Sequence, residues 1–139
     1  MQDNIRALSL KQPFASLIVN GRKKIELRTW NTSYRGWFWV HASLTPYTKK
    51  EYLGIIPDKE AKGAIIGLAE ILDVKKYKNK EEFYADRDLH CASNPNRFHD
   101  PLYGFIIGRT IKIDPIKCKG SLNFFKANVA LDIEKYLGK

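Results

Sequence analysis

Residues 8–30 read LSLKQPFASLIVNGRKKIELRTW, and after a short turn residues 34–43 continue YRGWFWVHAS. Residues 5–10 read as a strand. Pro13 suits the first turn of a helix, where a missing N–H costs nothing. Phe14, Leu17 and Ile18 then fall at i, i+3 and i+4, on one helical face. Asn20-Gly21 stops that helix with residues that tolerate left-handed backbone. It runs about two turns, so packing must hold it. Residues 24–30 alternate: Ile25, Leu27 and Thr29 point one way, Lys24, Glu26, Arg28 and Trp30 the other. Charges of both signs beside an aromatic, on a half-buried pleat, predict a binding or catalytic cleft.

Working outward, residues 31–36 form a turn region and residues 37–42 a second strand, aromatic on both faces and therefore central. Residues 44–62 are polar, with a short helix expected over 48–53, capped by Thr48. Residues 63–74 are the longest apolar run, and their β-branched content with Gly breaks predicts a buried strand. A helix is expected over 80–88 and a loop over 91–101. A strand is expected over 102–112, with Asp114-Pro115 and Lys119-Gly120-Ser121 as punctuation. A further strand is expected through 123–131, and Asp132 caps a last helical turn ending near Gly138. Five or six strands with short helices and no βαβ alternation predict an α+β, barrel-like fold in one domain over 1–139.

Composition bounds the function. The 44% hydrophobic content of this 139-residue chain supports a globular core. No run of about 18 apolar residues is present, so no membrane span is expected. The N-terminus lacks the apolar segment of a secretory signal, and two cysteines make no disulfide framework, which predicts a reduced cytoplasmic setting. Net charge is +9, and residues 1–50 carry +7 of it. Such a field favours phosphate-rich partners through counterion release, although a lysine-coated soluble surface gives the same sign.

Several side chains carry candidate chemistry. Lys23 follows the Gly turn; it is either a solvated turn lysine or a partly buried ammonium that holds a phosphate, orients a carbonyl, or acts as a base. Glu26 and Arg28 either form a structural ion pair or divide labour, Arg28 forking onto a phosphate or base edge while Glu26 accepts from an exocyclic amine. Glu70 interrupts the apolar run; if buried and unpaired its pKa should rise, which suits acid–base work, and otherwise Lys23 or Arg28 satisfies it. Trp30 is the aromatic expected in the cleft, as a stacking platform for bases. Lys119-Gly120 can bring a cation and a backbone N–H to a phosphate. Cys118 beside lysines is a candidate thiolate. His90, Cys91 and His99 lack a recognisable metal spacing, so neither metal nor cofactor is expected.

The run Gly21-Arg22-Lys23-Lys24-Ile25-Glu26-Leu27-Arg28 resembles the G-x-K-x-x-E-x-R pattern of the ASCH domain (activating signal cointegrator 1 homology). Ser9, Gln12 and Pro13 before it, and Tyr34-Arg35-Gly36 and His41-Ala42-Ser43 after it, match as well. So do a Gly-containing apolar strand ending near Glu70, a strand with Tyr103, Pro115-Ile116 and a Lys119-Gly120 turn. The resemblance implies a PUA-like small β-barrel with helices around its openings, and a motif-lined cleft for RNA or a modified nucleoside or nucleotide. It adds Gln12, Lys24, Arg35 and Tyr103 to Lys23, Glu26, Arg28, Trp30, Lys119 and Gly120 as binding candidates; single-stranded DNA is a further ligand to test. Some members are amidohydrolases on N4-acetylcytidine and others ribonucleases, which makes Lys23, Glu26 and Glu70 the catalytic candidates of a metal-independent enzyme. Glu26 stands where those amidohydrolases carry Thr. A coactivator-like module with a protein partner is the third class. The Asn, Pro and polar content of residues 86–101 would suit a lid, a question the sequence leaves open.

Overall fold

The computed structural model describes residues 5–45, 61–92 and 94–138; the helix expected over 48–53 lies outside them. Six strands form one curled sheet. They are β1 (Ala7–Leu10), β2 (Ile25–Arg28), β3 (Gly36–Ala42), β4 (Ala64–Lys76), β5 (Tyr103–Lys117) and β6 (Phe124–Phe125). Their order is β2-β5-β4-β3-β1-β6, with β1 and β3 parallel and every other pair antiparallel. The short helices are α1 (Phe14–Val19), α2 (Lys80–Ala85), α3 (Arg87–His90) and α4 (Glu134–Leu137). The architecture is α+β, an open half-barrel.

β3 lies inside the sheet, between β1 and β4, as its two-faced aromatic pattern requires. Phe38 joins a cluster with Leu8, Leu10, Ile18, Val40, Ile71 and Phe105, under α1. Trp39, one residue on, points through the sheet to Ile65, Leu68, Ile113 and Ile133. A third cluster of Tyr77, Phe83, Ala92 and Leu102 anchors the segment between β4 and β5. Period-2 alternation thus sorts β3 into two cores.

Two expectations need correction. β5 does not stop before Asp114-Pro115 but runs to Lys117. β2 pairs only with residues 103–106, so beyond Ile106 one edge of β5 has no strand beside it among the described residues. Proline removes a donor, and an unpaired edge tolerates that. The strand expected within 123–131 is two residues long, because β6 borders only Ala7 and Leu8 of short β1.

α1 sits on β4 at Gly67, where a Cβ would lie 2.4 Å from the Ile111 carbonyl oxygen and 2.5 Å from Val19 Cγ1. Gly67→Ala is therefore expected to cost about 2 kcal/mol by overpacking and to lower Tm by about 5–8 °C. A thermal melt within about 2 °C of the parent would show that the sheet and α1 adjust freely there.

Candidate functional site

β2 starts directly after the turn that ends α1, which places Lys23 beside Phe14 and brings Glu26 and Arg28 in behind it. The Lys23 side chain is 3% exposed. It donates to the His90 carbonyl at 2.6 Å, lies 3.7 Å from Glu26 Oε1, and sits 5.0 Å from the centre of the Phe14 ring. Burial holds its pKa below the ordinary lysine value, against the opposing pull of the Glu26 carboxylate. Glu26 is 7% exposed and accepts from Arg28 Nε at 3.0 Å. Arg28 also donates from Nη2 to the Ser9 carbonyl at 2.9 Å, which ties β2 to β1 across the mouth of the half-barrel.

These groups line a cleft of about 410 Å³. Trp30 lines it too. Its ring meets Phe105 and Phe124 edge-on, with centroids 5.4 and 5.9 Å apart, and the Arg28 guanidinium lies 5.9 Å from its centre. The opposite wall is His90, Ala92, Arg97, His99 and Leu102, while Ser9, Lys11 and Phe14 complete the near side. Of the segment 86–101, His90, Ala92, Arg97 and His99 thus supply wall to the cleft. Alternation along β2 predicts Glu26, Arg28 and Trp30 together, but nothing in the local pattern marks His90, Arg97 or His99. The clustering of His, Asn and Pro in that loop was the one available signal.

His90 is fully buried and serves structure. Its Nδ1 accepts from the Ala92 N–H at 3.0 Å, so the proton is on Nε2, which donates to the Phe83 carbonyl at 2.7 Å. The ring stacks on Phe83 at 4.4 Å. Burial lowers its pKa to about 4. His41 is similar: Nε2 donates to the Cys118 carbonyl at 2.7 Å, leaving Nδ1 to accept from the Ser9 hydroxyl at 2.8 Å. Gly120 packs on that pair, since a Cβ there would lie 2.6 Å from His41 Cε1. Only glycine lets the Lys119-Gly120 turn approach the Ser9 side of the cleft so closely.

The other candidates lie elsewhere. Gln12 is buried, donates to Ser16 Oγ and the Ala61 carbonyl, and accepts from the Ser16 N–H, fixing the start of α1. Lys24 is exposed and folds back onto the Gly21 carbonyl. Arg35 donates to the Thr32 and Tyr34 carbonyls and lies 3.6 Å from Asp73. Tyr103 pairs with Arg28 in register and packs on the first core cluster. Lys119 is exposed.

Glu70 departs from expectation. It forms a two-pronged pair with exposed Arg109, at 3.0 and 3.1 Å, away from the cleft. That hydrogen-bonded guanidinium holds its carboxyl below the usual value, so Glu70 is paired and not raised, and its partner is Arg109 instead of Lys23 or Arg28. The Cys118 thiol is likewise buried, and burial pushes its pKa up, opposite to a reactive thiolate. Among the described residues no group of three or more His, Cys, Asp or Glu is placed to hold a metal ion, and no helix is long and apolar enough to cross a membrane.

Comparison with known proteins agrees with this fold. Activating signal cointegrator 1 of Homo sapiens is 28% identical over 92 residues, covering 57% of this chain and 16% of that protein; the Mus musculus protein gives the same figures. The chain therefore spans a small part of the curated relatives it matches. The crystal structure of ASCH from Zymomonas mobilis superposes with a TM-score of 0.59 at 17% identity, covering 83% of this chain and 74% of that one. A point mutant of the same protein gives 0.58 at 18% identity, covering 81% and 74%. The ASCH domain model itself matches residues 8–117, which include every strand but β1's first residue and β6, and the chain belongs to the ASCH domain family.

Proposed function

We propose that this ASCH domain binds single-stranded RNA and takes one nucleotide into the cleft between β2 and residues 90–102. The observation that carries the reading is the Lys23–Glu26–Arg28 array on the cleft floor. Cations that hold a buried carboxylate in a fixed orientation leave a polar surface suited to a base edge. The cleft volume, about 410 Å³, lies within the range of small-ligand sites. Phe14 and Trp30 add apolar wall, and Lys11 and Arg97 add positive charge where a phosphate would lie. RNA is recognised mainly by splaying single bases out of a strand, which is what a one-nucleotide cleft demands.

The test is a titration of purified protein with a short single-stranded RNA, its DNA equivalent and a duplex, at two salt concentrations. Affinity for the single-stranded RNA should fall with salt, and Arg28→Ala should weaken it about tenfold, as loss of a charge-assisted contact does. Binding that ignores both salt and Arg28 would remove the cleft from consideration.

A hydrolytic reading has one observation in its favour: an amine of lowered pKa beside a carboxylate inside a cleft. Such chemistry would run on Lys23 and Glu26, because Glu70 is engaged by Arg109 away from the cleft. Assaying the same titration samples for RNA cleavage and for deacylation of acylated cytidines separates an enzyme from a reader.

A further inference from the structure

The two carboxylate oxygens of Glu26 are not equivalent. Oε2 accepts from Arg28 Nε at 3.0 Å, whereas Oε1 lies 3.7 Å from Lys23 Nζ, beyond hydrogen-bond length. No described donor bonds to Oε1. Yet no buried side-chain oxygen or nitrogen among the described residues lacks a partner, so Oε1 must open onto the cleft it lines. A carboxylate has lone pairs for about four donors, and the protein fills one of them. Lys23 has three N–H groups and commits one to the His90 carbonyl. The floor therefore presents an ammonium donor and an under-occupied carboxylate side by side.

We propose that the cleft reads guanine, with its O6 on the Lys23 ammonium and its N1–H and N2–H on the Glu26 carboxylate. The assignment rests on the cleft being a nucleotide site, and goes beyond it by naming the base. The edge of guanine carries, in order, a carbonyl acceptor and two adjacent donors, and the floor carries a donor beside two carboxylate oxygens. Adenine and cytosine turn one amino group and one ring acceptor toward this pair and leave the second carboxylate oxygen unserved. Uracil is worse, because its single N–H is flanked by carbonyls, one of which would face a carboxylate oxygen. Unmade hydrogen bonds to buried charged groups are costly, so the floor selects by rejection as well as by fit. Against the pyrimidines, guanine also has the two-ring face of a purine, the larger area to lay against Phe14 and Trp30.

The experiment is a calorimetric titration of the unmodified protein with GMP, AMP, CMP, UMP and inosine 5′-monophosphate at one salt concentration, run beside the RNA titration. GMP should bind at least about tenfold more tightly than AMP, CMP and UMP, the discrimination of one good bidentate contact. Inosine monophosphate lacks only the 2-amino group, so it should fall between GMP and the others. Glu26→Gln, its fold checked by denaturation, should remove the preference for GMP, because the amide keeps one acceptor oxygen where the carboxylate has two, and a preference that survives the substitution overturns the contact. Equal affinity for the four standard nucleotides, or preference for another base, with RNA binding intact, overturns the guanine assignment alone. Inosine monophosphate binding as tightly as GMP overturns the two-donor contact with Glu26. Absence of binding by every nucleotide and by RNA overturns the nucleotide reading and this assignment with it.

Discussion

Glu26→Ala is expected to lower the unfolding free energy by about 3 kcal/mol, the low end for breaking a buried ion pair. The Lys23 side chain, 3% exposed in the parent, would lose its carboxylate and keep the His90 carbonyl and the Phe14 ring. Arg28 would lose its partner at Nε and keep the Ser9 carbonyl. Lys23→Met should behave differently. Burial already works against the charged lysine, and Glu26 would retain Arg28, so this variant should stay within about 1 kcal/mol of the parent. Both should lose nucleotide binding. Urea midpoints at constant slope measure the comparison. Equal losses for the two variants would mean that Glu26 does not compensate Lys23, and the site would have to be redrawn.

Acid should loosen the wall of the cleft through His90. In the unfolded chain this histidine titrates near 6.5, and in the fold burial takes it to about 4. Between those values the unfolded state binds a proton that the native state refuses, so stability rises with pH across the window. The contribution is complete above about pH 6.5 and is lost as pH falls toward 4. Its size is about 3 kcal/mol, set by the gap between those two values. Lys23 and Arg97 add to the depression; Asp86 and the hydrogen bond to the Phe83 carbonyl oppose it. Protonation would put a donor at Nδ1, where the Ala92 N–H now donates, and would push residues 90–92 apart. The His90 carbonyl that holds Lys23 lies in that same segment. Melts of the parent and of His90→Gln from pH 7.5 to 4 isolate the histidine from the carboxylates, which titrate in both proteins. Parallel curves would refute this role.

The parts of the fold legible in the sequence were those set by local periodicity. The i, i+3, i+4 spacing of Phe14, Leu17 and Ile18 marked α1, and alternation on β2 put Glu26, Arg28 and Trp30 on one side. Aromatics on both faces of residues 37–42 marked β3 as interior, and Phe38 and Trp39 do enter separate cores. Pro115 misled because its effect depends on whether the strand edge it occupies has a neighbour. The length of the final strand failed for a related reason: β6 can extend only as far as β1 offers an edge.

At the site the same division holds between residue type and partner. The sequence by itself determined the α+β class, the basic N-terminal half and a strand carrying Lys23, Glu26 and Arg28 after a glycine turn. These follow from periods of two and 3.6 residues and from counting charges, which need no knowledge of what packs against them. Only the tertiary structure decided that Lys23 is desolvated, since the His90 carbonyl that covers it arrives from 67 residues along the chain. Only the pairing of β4 with β5 decided that Glu70 meets Arg109, 39 residues away, and so is held ionised on the far side of the sheet. A side chain's chemistry is written in its type, but its pKa and its availability are set by the groups that exclude water from it, and the chain brings those together only by folding.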